Sequence, residues 1–158
     1  MRQVTQPTKI SDIKRGWHLI DVKEQILGRQ AVAIAHKLMG KGKTYFANNM
    51  DCGDYVVVIN AKDVRTTGNK ELLKKYTNYS GYPGGLRTRT LKEMRAQDPT
   101  LIITHAVAGM LPKNKLRAQM LKRLFVFSDE NHTYTDKVGV KSQPVSTSSS
   151  LGGEIEAK

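Results

Sequence analysis

The chain has 158 residues and carries 26 Lys or Arg against 14 Asp or Glu, which leaves a formal net charge of +12 at pH 7. One domain is the simplest expectation for this length. So large a charge repels itself in the folded state, so we expect a polyanionic partner, with nucleic acid ahead of an anionic membrane surface. No apolar run reaches about 18 residues, which argues against a membrane partner. The single cysteine, Cys52, cannot form an internal disulfide, which fits a reducing compartment.

The N-terminal part predicts an arm followed by a strand–helix–strand unit. Residues 1–15 are polar and show no sustained period, so we expect an N-terminal arm, and the lack of an apolar signal segment argues against secretion. A first strand is predicted at 17–21, and apolar residues at helical spacing predict an amphipathic helix at 28–40. The apolar run at 55–60 is typical of a strand that is covered on both faces. This succession indicates a parallel βαβ unit.

The middle of the chain predicts shorter elements. We expect a short helix at 69–73, a strand at 74–79 and another helical segment at 91–96. Between them, the sequence SGYPGG at 80–85 predicts a turn or loop. Its glycines let the backbone approach another surface closely, and the N–H groups of such a loop can bind phosphate oxygens.

Residues 98–124 predict two consecutive helices with an apolar face and a basic face. Asp98 is a suitable N-cap for the first helix, which is predicted to end before Pro112, and Asn114 can cap the second. The Lys and Arg residues are left on the second helix's other face or at its start, an arrangement that suits a polyanion. A short last strand is predicted at 125–127.

The alternation of strands and helices predicts the α/β class, as a three-layer single domain with a mainly parallel sheet. We place this domain at residues 16–141. From Ser142 the composition becomes rich in Ser and Gly, so residues 142–158 are predicted to form a disordered tail.

Positive charge is concentrated in residues 61–123, which hold fourteen Lys or Arg against four acids, a net of +10. Tyr76, Tyr79 and Tyr82 interleave with this charge. Aromatic rings beside cations favour RNA, because unstacked bases can lie on the rings while phosphates meet Lys and Arg. The alternative is a solvated basic face with core tyrosines. The predicted RNA-binding residues are Lys41, Lys43, Lys70, Lys74, Lys75, Tyr79, Ser80, Tyr82, Arg87, Arg89, Lys113, Lys115, Arg117, Lys122 and Arg123.

Motifs for catalysis or cofactor binding are incomplete. Residues 42–44 (Gly-Lys-Thr) imitate the end of a P-loop, but the motif needs a glycine where this chain has Lys37, and a helix after the loop rather than before it. One glycine after the first strand, Gly28, is not a dinucleotide fingerprint. The four histidines show no metal-ligand spacing with one another or with Cys52. We therefore predict no catalytic residue, no metal site and no cofactor.

A set of ordered sequence pieces gives a family resemblance. The pieces are Trp17-His-Leu-Ile-Asp21, Leu27-Gly-Arg29, Gly53-Asp54-Tyr-Val-Val-Val-Ile-Asn60-Ala61, Thr67-Gly-Asn-Lys70, Lys75-Tyr76, Ser80-Gly81, Pro83-Gly-Gly85, Ala106-Val107, Gly109-Met-Leu-Pro-Lys113 and His132. In this order they closely resemble the bacterial-type large-ribosomal-subunit proteins of the L-thirteen family. The chain departs from the family at residues 23–25, in the turn after the first strand, and after His132, where it has Thr-Tyr-Thr.

The resemblance implies a fold and a function. The implied fold is three α/β/α layers around a four-stranded parallel sheet. The implied function is a structural one: binding large-subunit ribosomal RNA beside neighbouring large-subunit proteins, and supporting subunit assembly and translation without catalysis. The resemblance also implies that Lys70, the loop at 80–89 and the segment at 113–123 face the RNA. The compartment would be the cytoplasm, with an organellar ribosome as the alternative.

Two other functions remain open at this stage. An RNA-modifying or nucleotide-using enzyme would need a ligand site at the ends of the strands, near Asp21 and Asn60. A translational regulator would bind RNA away from the ribosome, and the sequence does not separate it from a ribosomal protein. No membrane partner and no small-molecule substrate are expected.

Overall fold

The computed structural model describes residues 8–138, with two short 3-10 helices at Ile10–Asp12 and Ala61–Asp63. In chain order the other elements are β1 (Trp17–Asp21), α1 (Leu27–Met39), β2 (Tyr55–Ile59), α2 (Lys70–Leu73), β3 (Lys75–Tyr79), β4 (Leu86–Thr90), α3 (Leu91–Gln97), α4 (Pro99–Met110), α5 (Leu116–Leu121) and β5 (Leu124–Val126). The predicted tail at 142–158 and the first seven residues of the predicted arm lie outside the described part.

A parallel sheet forms the centre of the fold, in the order β1-β2-β5. β1 pairs with β2 from Trp17↔Tyr55 to Asp21↔Ile59, and β5 pairs with the other edge of β2. β2 is the central strand, and its residues 56–58 are fully buried, as the uninterrupted apolar run predicts. The α/β class and the mainly parallel sheet are thus confirmed. Residues 8–138 contribute three strands to this sheet.

Helix α1 crosses over between β1 and β2. Its apolar residues at helical spacing, including Ala31, Ile34 and Leu38, are buried. Gly40 ends the helix in the left-handed conformation with φ of 78°, and its amide bonds back to the carbonyl of His36. A Cβ at this position would lie 2.6 Å from the carbonyl oxygen of Cys52, so both the turn and the close packing require glycine.

The hydrophobic core lies between one face of the sheet and the helices α1 and α4. Val56 and Val58 from β2 join buried side chains of α4, such as Ile102 and Val107, in this core. Because side chains alternate along a strand, Trp17 and Tyr55 point to the opposite face. There Trp17 stacks on Tyr55 with ring centroids 4.5 Å apart, and it also stacks on Phe125.

The strand predicted at 74–79 is present as β3, but it belongs to a second, antiparallel sheet. β3 pairs only with β4 in a two-stranded hairpin, and β4 replaces the end of the predicted loop at 80–89. α3 follows directly, with a capping box in which Thr90 and Glu93 bond each other's backbone N–H groups. Arg95 on α3 then bonds the carboxylate of Glu71 at 2.6 Å, which ties α2 to α3.

Two helices occupy the region predicted at 98–124. α4 begins with Pro99 in its first turn, and the second helix, α5, is shorter than predicted. The N-cap of α5 is Lys115, one residue after the predicted Asn114, although the Asn114 side-chain oxygen does accept from the Arg117 amide at 3.1 Å. None of the helices within residues 8–138 combines the length and the apolar character needed to cross a membrane.

Candidate nucleic-acid interface

The β3–β4 hairpin presents a basic face toward α4. Tyr76 pairs with Arg89 and Asn78 pairs with Arg87, so these four side chains share one face of the hairpin. That face lines a cleft of about 380 Å³, which α4 closes with His105. The centroids of the Tyr76 and His105 rings lie 5.7 Å apart. The cleft thus combines two guanidinium groups with aromatic surface, the pairing that binds phosphates and bases.

The tip of the hairpin exposes aromatic side chains. Tyr79 is 61% exposed and Tyr82 is 75% exposed, so both rings are accessible for stacking. The loop itself is ordered by two backbone bonds: the Ser80 amide donates to the Gly85 carbonyl at 3.3 Å, and the Gly85 amide to the Tyr82 carbonyl at 2.9 Å. Gly81 has φ of 89°, which strongly favours glycine there. The predicted loop is therefore a closed turn that holds Tyr82 outward.

A second group of cations adjoins the base of the hairpin. Lys70, Lys74 and Lys75 are all exposed. The Lys74 ammonium lies 5.1 Å from the centroid of the Tyr76 ring, a cation–π contact. Burial raises the pKa of Tyr76 above its ordinary value, so its hydroxyl stays protonated at neutral pH. The Lys74 ammonium therefore lies against a neutral aromatic ring.

The segment after α4 supplies further cations. Lys113, Lys115 and Lys122 are exposed, as the basic face of the second predicted helix requires. Arg117 is only half-exposed, and its guanidinium donates to the Ala108 carbonyl at 2.6 Å. Such a bond satisfies a carbonyl in the last turn of α4. Arg117 therefore has a structural role in residues 8–138, beside the RNA role that the sequence predicts.

Arg123 is not an accessible cation, contrary to the prediction that placed it on the basic face. Its side chain is buried, bonds both carboxylate oxygens of Asp51 and donates to the Leu38 carbonyl at 3.3 Å. This burial follows from its position directly before β5, where the chain returns to the core. Arg123 thus forms an ion pair with Asp51 in the core and is not part of an exposed basic face.

Lys43 is also engaged inside the protein. Its ammonium bonds the Asp54 carboxylate at 2.5 Å and the Lys14 carbonyl at 2.6 Å. Lys41, two residues earlier, remains exposed. The turn after α1 therefore presents Lys41 to solvent and uses Lys43 to hold the segment before β1.

Asp54 is the centre of this internal network, which the sequence analysis did not identify. Burial disfavours its charge, but hydrogen bonds from the Lys43 ammonium, from the Gly16 N–H at 2.8 Å and from His18 at 3.1 Å outweigh that cost. The pKa of Asp54 therefore lies below its ordinary value of 3.8. The only sequence signal was an acidic residue directly before an apolar strand.

Asp21 and Asn60, the residues at the strand ends considered for an enzyme site, are hydrogen-bonded to each other. The Asn60 side-chain amide donates to the Asp21 carboxylate at 2.9 Å, and the Lys23 amide donates to the same oxygen at 2.9 Å. Within residues 8–138, no three His, Cys, Asp or Glu side chains gather in a way that would hold a metal ion. Through the Asp21 carboxylate, these hydrogen bonds connect the ends of β1 and β2.

A groove of about 820 Å³ lies beside the hairpin, and the sequence analysis did not identify it. It is lined by the first turn of α1, by residues 66–70 and by the last turns of α4. The predicted cations Lys70 and Lys74 line it as well. The signal for this groove was divided among segments far apart in sequence, so no single motif carried it.

Comparison with known proteins identifies close relatives. A family model described as ribosomal protein L13 matches residues 15–133. The chain is 46% identical over 139 residues to the large ribosomal subunit protein uL13 of Dehalococcoides mccartyi, across 88% of this chain and 97% of that relative. It is 48% identical over 128 residues to the protein of that name from Solibacter usitatus, across 81% and 89% of the two chains. The corresponding protein of Halorhodospira halophila is 43% identical over 130 residues, across 82% of this chain and 92% of the relative.

Proposed function

This chain belongs to the ribosomal protein L13 family, and from that membership we propose that it is a structural constituent of the large ribosomal subunit that binds large-subunit ribosomal RNA. In that role it supports subunit assembly and translation beside neighbouring large-subunit proteins. It acts by binding rather than by catalysis, on ribosomes of the cytoplasm, as its bacterial relatives suggest.

The observation that carries the RNA interface is the basic face of the β3–β4 hairpin. Arg87 and Arg89 lie side by side on that face, and within residues 8–138 neither makes a recorded ion pair. Both are exposed, and two further exposed aromatic side chains lie on the same hairpin: Tyr82 in the turn and Tyr79, which pairs with Leu86 on the opposite face. Guanidinium groups contact phosphates and aromatic rings stack on unpaired bases, so this element fits RNA on both counts.

The rest of the interface extends from this hairpin along the exposed cations. Besides Arg87 and Arg89, the members of the predicted set whose charged side chains are exposed are Lys41, Lys70, Lys74, Lys75, Lys113, Lys115 and Lys122. Neutralisation of phosphates by such residues supplies much of the affinity, while base stacking and RNA shape set the site. Ser80 helps to shape the turn, and Lys43, Arg117 and Arg123 position parts of the protein.

The double variant Arg87→Gln/Arg89→Gln tests this interface. We expect it to weaken binding to protein-free bacterial large-subunit ribosomal RNA and to reduce the slope of log K against log salt by about 1.4–1.8, since each phosphate contact contributes about 0.7–0.9. Filter binding between low and moderate salt measures both quantities.

A matched control removes the same charge elsewhere. Lys9 and Lys23 are exposed and lie outside the predicted set, so Lys9→Gln/Lys23→Gln should leave affinity and slope closer to the parent values. Equal losses in the two double variants would mean that only net charge matters, and the hairpin would lose its assignment as the RNA face.

The wider architecture of the domain is also part of the proposal. We propose that the domain spans residues 16–141 and reaches the four strands and three layers that the family resemblance implies. A parallel bridge between Ile26 and Arg65 supports a further parallel pairing, with the Leu27 amide donating to the Arg65 carbonyl at 2.9 Å. An experimental structure of the chain within the large subunit tests this arrangement.

A further inference from the structure

The groove beside the hairpin combines helix ends with a turn. Ile26, Leu27 and Gly28 come from the start of α1, and Ala106, Gly109 and Met110 come from the end of α4. Its volume of about 820 Å³ lies within the range of pockets that bind small organic groups. None of the proposed RNA contacts of the hairpin tip reaches into it, since its lining includes no residue between 75 and 90.

Two glycines in this groove are not explained by the packing of the chain itself. Gly28 lies in the first turn of α1 and Gly109 lies in the last turn of α4, where glycine destabilises a helix relative to alanine. Neither has a positive φ. A Cβ added at either position would meet no atom within 4 Å. Alanine would therefore fit the isolated protein at both places, and the open space that the two glycines share is the groove.

Charge in the groove points to the class of occupant. Lys70 and Lys74 line it, and both are exposed, while no Asp or Glu is among its lining residues. Thr67 and Asn69 add polar groups, with the Lys70 ammonium donating to the Thr67 hydroxyl at 3.2 Å, and Leu27 and Leu91 add apolar surface. Cations and hydroxyl groups at the rim suit phosphate and ribose, whereas apolar surface suits the face of a base.

We propose that this groove binds a single strand of ribosomal RNA, whose sugar–phosphate backbone passes against Gly28 and Gly109 with its phosphates at Lys70 and Lys74. The inference rests on the proposed RNA-binding function and assigns it a second contact surface. Close approach of the RNA to the two helix backbones explains why glycine occupies positions where alanine would give more stable helices.

The variants Gly28→Ala and Gly109→Ala test the proposal, because stability and binding should change in opposite directions. The thermal midpoint of each free variant should stay the same or rise by a few degrees, since alanine favours the helix. Affinity for protein-free bacterial large-subunit ribosomal RNA should fall about tenfold in each, because a methyl group is forced into a close contact. Differential scanning fluorimetry and filter binding give the two readouts.

Gly42→Ala is the matched control. Gly42 lies in the turn after α1, outside the groove, and a Cβ there also meets no atom within 4 Å. It should bind RNA like the parent.

The other outcomes are separable. If the parent binds the RNA and both helix variants bind it and enter reconstituted subunits equally well, the groove inference is wrong and the proposed function stands. If the variants bind the RNA normally but fail to enter reconstituted subunits, the groove takes a protein and the RNA assignment is overturned. If the parent itself does not bind the RNA, the proposed function fails and this inference fails with it.

Discussion

Arg123 and Lys122 are adjacent cations with opposite roles. Lys122 is exposed, whereas Arg123 is buried against Asp51 and the Leu38 carbonyl. Helical periodicity placed both residues on the basic side. The turn into β5, which directs Arg123 into the core, accounts for the difference in their exposure. A buried guanidinium is costly unless it is paired, and the carboxylate of Asp51 supplies that pair.

We predict that Arg123→Ala destabilises the fold instead of acting on the RNA. Removing one partner of a buried ion pair typically costs about 3–5 kcal/mol of unfolding free energy, and Asp51 would keep only the longer, partly exposed contact with Arg15 at 3.5 Å. Chemical denaturation measures this loss. Lys122→Ala is the control, with near-parental stability and weaker RNA binding. A variant at position 123 with full stability and lost RNA affinity would contradict the assignment of Arg123 to the core.

Asp54 gives a prediction about pH. Its pKa in the folded protein lies below the ordinary value of 3.8, so the unfolded chain takes up a proton on this group at higher pH than the folded chain does. The stabilisation is therefore fully present above that value and is lost as the pH falls through 3.8 and toward the lower, folded pKa. Asp54→Asn should lower the stability at neutral pH and flatten its dependence on pH on the acid side.

Thermal unfolding between about pH 2.5 and pH 7 tests this prediction. Asp129→Asn is a suitable control, since the Asp129 side chain is 63% exposed and pairs only at the surface with Lys62. An acid-side dependence that is equally steep in Asp54→Asn and the parent would show that another group causes it.

At the scale of elements, apolar strands could be predicted from the sequence and polar strands could not. β1 was predicted at its observed bounds, and β2 and β5 were predicted within one residue at each end. All three lie in the central sheet, where burial imposes apolar runs. β4, with the sequence LRTRT, is exposed along most of its length and has no apolar face, so its pattern resembled a loop.

Chain geometry explains why β3 pairs antiparallel with β4. Only residues 80–85 separate β3 from β4, and so short a connection joins antiparallel strands, because a parallel pair needs a crossover of about a dozen residues or more. The position of the turn was predictable from its glycines and Pro83. The consequence, a second sheet that carries Arg87 and Arg89, required the pairing itself.

Sites that depend on several elements were the least predictable. The groove joins α1, residues 66–70 and α4, and its glycines are ordinary in sequence because a glycine near a helix end usually marks a cap. The Asp54 network likewise joins Gly16, His18 and Lys43 from separate segments. Single motifs indicate such sites only after the fold has brought the segments together.

In the whole molecule, the apolar core and most of the charged side chains occupy different regions. Residues of α1, β2 and α4 form the core, while most of the Lys and Arg residues of the region at 61–123 remain at the surface. A net charge of +12 then favours a large polyanion over a small ligand. Membership of the L13 family identifies that polyanion as large-subunit ribosomal RNA, and we propose that the exposed hairpin contacts it.

Sedimentation of a cell lysate tests the central claim most directly. The chain is followed through a sucrose gradient at moderate salt and again after a high-salt wash of the ribosome fraction. We predict migration with the large subunit under both conditions, because packing into the subunit retains an integral constituent even when salt weakens its phosphate contacts. Migration as free protein at moderate salt would contradict a constituent role and would favour an RNA-binding protein that acts away from the ribosome.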